Sequence, residues 1–171
     1  DNIKVVDDAT GKKIASDSFT AVPLWWHWEK ASDGDFSIRN GKLLQSSTWM
    51  QYSNTGSVAY FGDEDWTDYT YTLEATKLEG EEGFIIPFAV KDTQNNYFWN
   101  IGGWGNTKSS LQRMKNGIKT GEIHETTTDF TVETGRTYEI KIVVEDQRIC
   151  CYLDGKLYID YKPATATPLY E

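Results

Sequence analysis

An antiparallel β-sandwich of jelly-roll type is the fold this sequence predicts, and three observations carry the prediction. Short runs in which apolar and polar residues alternate recur between turn signals, the clearest being Tyr69 to Thr76 and Tyr138 to Val144. The dipeptides Asn40-Gly41 and Asp154-Gly155 separate such runs, and each is a favoured two-residue hairpin turn. No stretch keeps a helical period with caps at its ends. A length of 171 residues suits one domain with its own core, and seven Trp, ten Tyr and seven Phe fit the half-buried surfaces of strands.

Taken in order, residues 1–18 are polar apart from Val5-Val6 and read as a lead-in segment or linker with a turn near Gly11. The sandwich module is expected over 19–162, with 163–171 as an exit segment. Trp25, Trp26 and Trp28 cannot all face inward from one strand, because alternate side chains point to opposite faces; at least one should be accessible, and Trp26 is the candidate. Phe36 to Gln45 is a hairpin about Asn40-Gly41, and a polar stretch carrying Trp49 follows it. Val58 to Phe61 is a short strand that leads into the acidic turn Gly62 to Asp65 and Trp66.

Tyr69, Tyr71, Leu73 and Ala75 form the inward face of the next strand. Gly83 to Val90 and Tyr97 to Ile101 are strands joined by a polar turn over Lys91 to Asn96. Pro87 lies inside the first of them and demands a bulge, an interruption or an unpaired N–H position. Between Asn106 and Glu133 the pattern supports only two short strands, Leu111 to Met114 and Phe130 to Val132. Tyr138, Ile140, Ile142 and Val144 face the core from the following strand. The last hairpin, with uninterrupted register from Asp154-Gly155, puts Cys150, Tyr152, Leu157 and Ile159 on the apolar face and Cys151 on the other.

Composition excludes several roles. A net charge of −9 repels phosphate backbones and anionic lipid, so nucleic-acid and membrane-surface partners are not expected. No apolar run approaches the roughly 18 residues of a membrane span. Cys150 and Cys151 are neighbours whose side chains diverge, so both are expected as free thiols, and no His/Cys cluster offers a zinc site. The spacing of Asp63, Asp65 and Asp68 offers oxygen ligands to a calcium ion, with a solvated acidic turn as the alternative; no other cofactor is implied. Asp63-x-Asp65 is the sole candidate for a paired-carboxylate glycosidase site, and it sits in a turn rather than on a regular strand. His27 and His124 are far apart and recommend no triad.

The segment that most suggests a binding site is Gly83 to Asn106, which ends in Gly102-Gly103-Trp104-Gly105-Asn106. Glycines let a backbone and a ring approach a ligand closely, an indole face suits the C–H surface of a sugar, and amides both donate to and accept from hydroxyls. The site predicted on these grounds is Trp104 with Asn100 and Asn106, joined by Trp49, Gln45 and Trp26 from the earlier polar stretches. Asn100 and Trp99 alternate on their strand, so Trp99 is assigned to the core.

The runs GKLLQSS (41–47), AYFGDEDWTDYTYTLEATK (59–77), GFIIPFAVKD (83–92), NNYFWNIGGWGNTKSSLQ (95–112) and ICCYLDGKLYID (149–160) resemble the concanavalin-like module of some α-L-arabinofuranosidases of glycoside hydrolase family fifty-one. FGDEDWTDY and WNIGGWGNT are its most specific parts. The resemblance implies a concanavalin- or laminin-G-like jelly roll, carried by a periplasmic or secreted enzyme whose targeting segment lies outside this sequence. It also implies an accessory role, with arabinose-containing plant polysaccharide and the parent catalytic domain as partners. Catalysis is not implied, because the (β/α)₈ barrel that holds the catalytic residues of such enzymes needs about 250 residues. The alternatives are a structural module packed on that barrel and, third, a concanavalin-fold glycoside hydrolase.

Overall fold

The computed structural model describes residues 2–20, 28–30, 36–46, 58–127 and 130–163, with the backbone alone at 28–30 and 122–127. In chain order the strands are β1 (Ile3–Asp7), β2 (Lys13–Asp17), β3 (Trp28–Lys30), β4 (Phe36–Arg39), β5 (Lys42–Gln45), β6 (Ala59–Phe61) and β7 (Tyr69–Thr76). They continue as β8 (Phe84–Asp92), β9 (Asn95–Gly102), β10 (Lys108–Lys115), β11 (Ile118–Thr127), β12 (Thr137–Glu145), β13 (Arg148–Leu153) and β14 (Lys156–Tyr161). A six-stranded sheet in the order β14-β13-β12-β7-β1-β2 packs on a four-stranded sheet in the order β11-β10-β9-β8. Two two-stranded ribbons, β3-β6 and β4-β5, accompany them, and every strand pair is antiparallel.

The core lies between the two large sheets because the period-two pattern of the sequence gives each one an apolar face. Tyr138, Ile140, Ile142 and Val144 of β12 are buried, and beside them lie Tyr69 and Tyr71 of β7 and Ile149, Cys151 and Leu153 of β13. Opposite them come Trp99 and Ile101 of β9, Leu111 of β10, and Ile86 and Phe88 of β8. Phe84 meets Tyr138 edge-on at 6.2 Å, and Trp99 meets Tyr158 at 6.3 Å, so aromatic rings span the gap between the sheets. The hairpin at Asn40-Gly41 forms as expected, with φ of 52° and 70° at its two central residues and Arg39 paired with Lys42. Pro87 falls on β8, whose only sheet neighbour among the described residues is β9, and on such an edge strand a residue without an N–H is tolerated.

Four expectations need correction. Residues 3–17, read as lead-in or linker, supply β1 and β2 of the six-stranded sheet, with Ile3 and Val5 buried in the core. The segment after Asn106 holds two long strands, β10 and β11, joined at Asn116-Gly117, which adopt φ of 51° and 73°. Phe130 to Val132 forms no strand, because the Val132 backbone bonds to the Asn106 side chain instead of to a neighbouring chain.

The fourth correction concerns the last hairpin. Leu153 pairs with Lys156 and Tyr152 with Leu157 as the Asp-Gly turn dictates, but a bulge then pairs Cys151 with Ile159 and Cys150 with Asp160. One extra residue shifts all the pairs beyond it. The controlling partner is β12, which sets Ile140 beside Leu153, Ile142 beside Cys151 and Val144 beside Ile149. Cys151 is therefore fully buried and Leu157 is 45% exposed, the reverse of the sequence reading. Cys150 lies half-buried on the outer face, 3.8 Å from an Asp160 oxygen. Residues 21–27, 31–35, 47–57 and 164–171, which include Trp25, Trp26, Trp49 and nearly all of the expected exit segment, lie outside the described residues.

Two measurements check this packing. Both thiols are free, and burial raises the pKa of each, that of Cys151 much further. Cys150 is expected to react with a disulfide reagent at least about tenfold faster than Cys151, in proportion to access and thiolate fraction; equal rates would contradict the bulged register. Burial also pushes the Tyr69 phenol up to about 12, and that of Tyr71 higher. A raised phenol contributes its full stability below the ordinary tyrosine value near pH 10 and loses it as pH rises toward the folded value. Stability should therefore fall between about pH 10 and 12, and absorbance titration should show both phenols ionising only as the fold is lost.

Candidate functional site

Trp104 stands at the link between β9 and β10, and the local backbone explains how it is held. Gly102, Trp104, Gly105 and Asn106 all adopt positive φ, between 53° and 68°. For the two non-glycine residues this left-handed conformation costs roughly 1–2 kcal/mol each, so the surroundings must hold them there. Thr107 N–H donates to the Gly103 carbonyl at 3.0 Å and its hydroxyl to the Trp104 carbonyl at 2.8 Å. Gly105 N–H donates to the Glu82 carboxylate at 2.9 Å, and Gly102 N–H to the Ser109 hydroxyl at 3.0 Å. The resulting turn presents an indole that is 41% exposed, with the Lys108 ammonium 4.2 Å from its centroid.

Asn106 belongs to this turn, but its amide is committed to the protein. Its Nδ2 donates to the Val132 carbonyl at 3.0 Å, and its Oδ1 accepts the Val132 N–H at 2.7 Å. Through these two bonds it positions the turn. Asn100 lies beneath the same turn, so close that a Cβ on Gly103 would come within 2.5 Å of its amide. It is buried on the face of β9 away from the core, and its Nδ2 reaches the Gln112 Oε1 at 3.4 Å. Trp99 is a core residue, as expected.

The remaining predicted residues divide. Gln45 is exposed at the end of β5, in a different sheet from β9 and β10. Trp26 and Trp49 lie outside the described residues. The acidic turn has its own structural duties: Asp63 accepts Asp65 N–H at 3.0 Å, and Asp68 accepts Asp146 N–H at 2.8 Å, tying the turn to the β12-β13 link. Asp63, Asp65 and Asp68 thus do not converge, and no metal-ligand group of three or more His, Cys, Asp or Glu occurs among the described residues. Glu82 and Lys108 were missed by the sequence reading. Lys108 lies four residues after Trp104 and could have been weighed as a neighbour on the same turn, whereas Glu82 approaches only through the β8-β9 pairing.

If the two bonds to Val132 hold the turn, Asn106→Ala should lower stability by about 1–3 kcal/mol, the cost of stranding polar groups that lose their partners. A urea midpoint indistinguishable from wild type would show that the turn is held elsewhere.

Comparison with known proteins gives two matches. The chain is 35% identical over 167 residues to an extracellular exo-α-L-arabinofuranosidase of Streptomyces chartreusis, an alignment that covers 96% of this chain and 19% of that enzyme. The chain therefore corresponds to a minor, accessory part of that relative's length. The structure is similar to the carbohydrate-binding module CBM66 from Bacillus subtilis, with a TM-score of 0.66, 20% identity and 81% of each chain covered. No protein-family model matches the chain. The β-sandwich fold and kinship with an accessory part of an arabinofuranosidase are thus shown; glycoside hydrolase family fifty-one is not part of what the match establishes.

Proposed function

We propose that this chain is a non-catalytic carbohydrate-binding module of a secreted α-L-arabinofuranosidase, and that its ligand is a neutral, arabinose-containing plant polysaccharide. The observation that carries the reading is the exposed indole of Trp104, fixed on a hydrogen-bonded left-handed turn. A rigid ring loses little entropy when a sugar stacks on it. The Lys108 ammonium lies over one ring face, and a sugar on the other leaves that pair intact. The net charge of −9 favours a neutral glycan over uronate-rich or phosphorylated polymers. The similarity to part of an extracellular arabinofuranosidase supports both the parent activity and export, and the likeness to a carbohydrate-binding module supports the role.

One Asp63 oxygen caps its own turn, a structural duty that accounts for Asp63-x-Asp65 without a catalytic use. One stacked ring with two or three hydroxyl hydrogen bonds, each worth about 0.5–1.5 kcal/mol, binds weakly once the cost of association is subtracted. The module then works by avidity, raising the concentration of the tethered catalytic domain at the polymer.

Calorimetric titration with arabinan and arabinoxylan is expected to show binding by the wild type that weakens at least about tenfold, or 1.4 kcal/mol, in Trp104→Ala. Unchanged affinity in the variant would remove Trp104 from the site. No binding by the wild type to either polymer would leave a structural module that packs on its catalytic partner.

A further inference from the structure

A cleft of about 640 Å³ opens between the two large sheets at β8, the edge strand of the four-stranded sheet among the described residues. Its volume falls inside the roughly 300–1,000 Å³ range of small-ligand sites. The cleft exists because β8 leaves β9 there: Phe88 pairs with Tyr97 and Asp92 with Asn95, so three residues of β8 stand against one of β9. Ala89, the first of the three, has φ of 47°, a strained conformation for a residue with a Cβ. Its N–H is turned inward and donates to the Tyr69 hydroxyl at 2.8 Å. Bulges on edge strands commonly re-aim side chains beside binding sites.

Three phenols, Tyr60, Tyr69 and Tyr71, and the Phe88 ring line the interior. Burial holds the pKa of all three phenols above the ordinary value, so at neutral pH each is an O–H able to donate and accept. Trp66 forms a wall and is pre-set: its ring lies so close to Gly62 that a Cβ there would come within 2.7 Å of it. Asp63, Glu64 and Asp92 stand at the exposed rim, where Lys91 is the one cation among the described lining residues. Aromatic walls, neutral hydroxyls and a net acidic rim suit an uncharged polyol ring and disfavour a carboxylate or phosphate ligand.

We infer that this cleft is a second carbohydrate site, separate from the Trp104 turn, that takes one neutral sugar ring against Trp66 and hydrogen-bonds it through Tyr60 and the Glu64 carboxylate at the rim. The inference rests on the carbohydrate-binding reading but not on Trp104. The two sites lie on different structural supports, the β8 bulge with the acidic turn in one case and the β9-β10 link in the other.

The test is a nitrogen-15 NMR titration of the whole chain with arabinotriose, and with trigalacturonic acid as the anionic control. The Trp66 indole N–H resonance is expected to shift on adding arabinotriose. Affinity read from the Ala89 amide in the cleft should fall at least about tenfold in Trp66→Phe and in Tyr60→Phe, and be at least about tenfold weaker for the anionic sugar. Tyr60→Phe removes one hydroxyl and keeps the ring, and spectral dispersion confirms that each variant is folded. A Trp66 resonance that stays fixed while that of Trp104 moves, or wild-type affinity in both cleft variants, would overturn the second site and leave the Trp104 reading standing. No response to arabinotriose anywhere, together with calorimetric silence toward polymers, would overturn both.

Discussion

The arrangement depends on how the chain crosses from the four-stranded sheet to the six-stranded one between β11 and β12. Among the described residues, 130–133 of that crossing form no strand and are held by side chains, and the backbone bridges to Lys77 only at Thr134. Asn106 takes both polar groups of Val132, and the Tyr138 hydroxyl accepts the Glu133 N–H at 2.8 Å. Val132 is buried against Gly83 and Gly102, where an added Cβ would meet its side chain at 2.6 and 2.8 Å. The Gly83 N–H donates to the Gly102 carbonyl at 2.8 Å, which closes the start of β8 onto the end of β9. The same few residues thus join the two sheets and set the base of the Trp104 turn. Glycine at 83 answers a need for close approach, since a Cβ there would lie 2.2 Å from the Ile101 carbonyl oxygen.

This economy explains how a small β-sandwich can offer fixed aromatic surfaces without a long ordered loop. At the Trp104 turn, rigidity comes from left-handed backbone tied down at four points. At the β8 edge it comes from a bulge whose displaced N–H is satisfied by a phenol. Both places carry a non-glycine residue at positive φ, Trp104 and Ala89, and both lie where a strand ends or leaves its partner. Local strain of this kind persists only when the surroundings over-determine the conformation. Here the over-determining groups are named side chains: Asn106, Glu82 and Thr107 in one case and Tyr69 in the other.

The sandwich itself was legible because period-two patterning and two-residue glycine turns are local signals. β7 and β12 and the Asn40-Gly41 hairpin appear where residue alternation puts them. What escaped were features decided at long range. The bulge in the last hairpin follows from β12 dictating which residues of β13 face inward, and nothing within Cys150 to Asp160 announces it. Val5-Val6 is an apolar pair in a polar segment read as lead-in or linker, yet pairing with β7 brings Val5 into the core. In the site, exposure of Trp104 and burial of Trp99 were readable from glycine content and alternation. The duty of Asn106 was not, because its partner Val132 lies 26 residues away. Nor was the cleft, whose walls come from β6, β7, β8 and the turn before β7.

We propose that this module recognises neutral arabinose-containing glycan through surfaces preformed on the sandwich. Native electrophoresis of the wild-type chain in gels cast with and without soluble arabinan, with polygalacturonate as the charged comparison, tests it most directly. The account predicts retardation that grows with arabinan concentration and is absent with polygalacturonate. Mobility unaffected by arabinan at any concentration would contradict it.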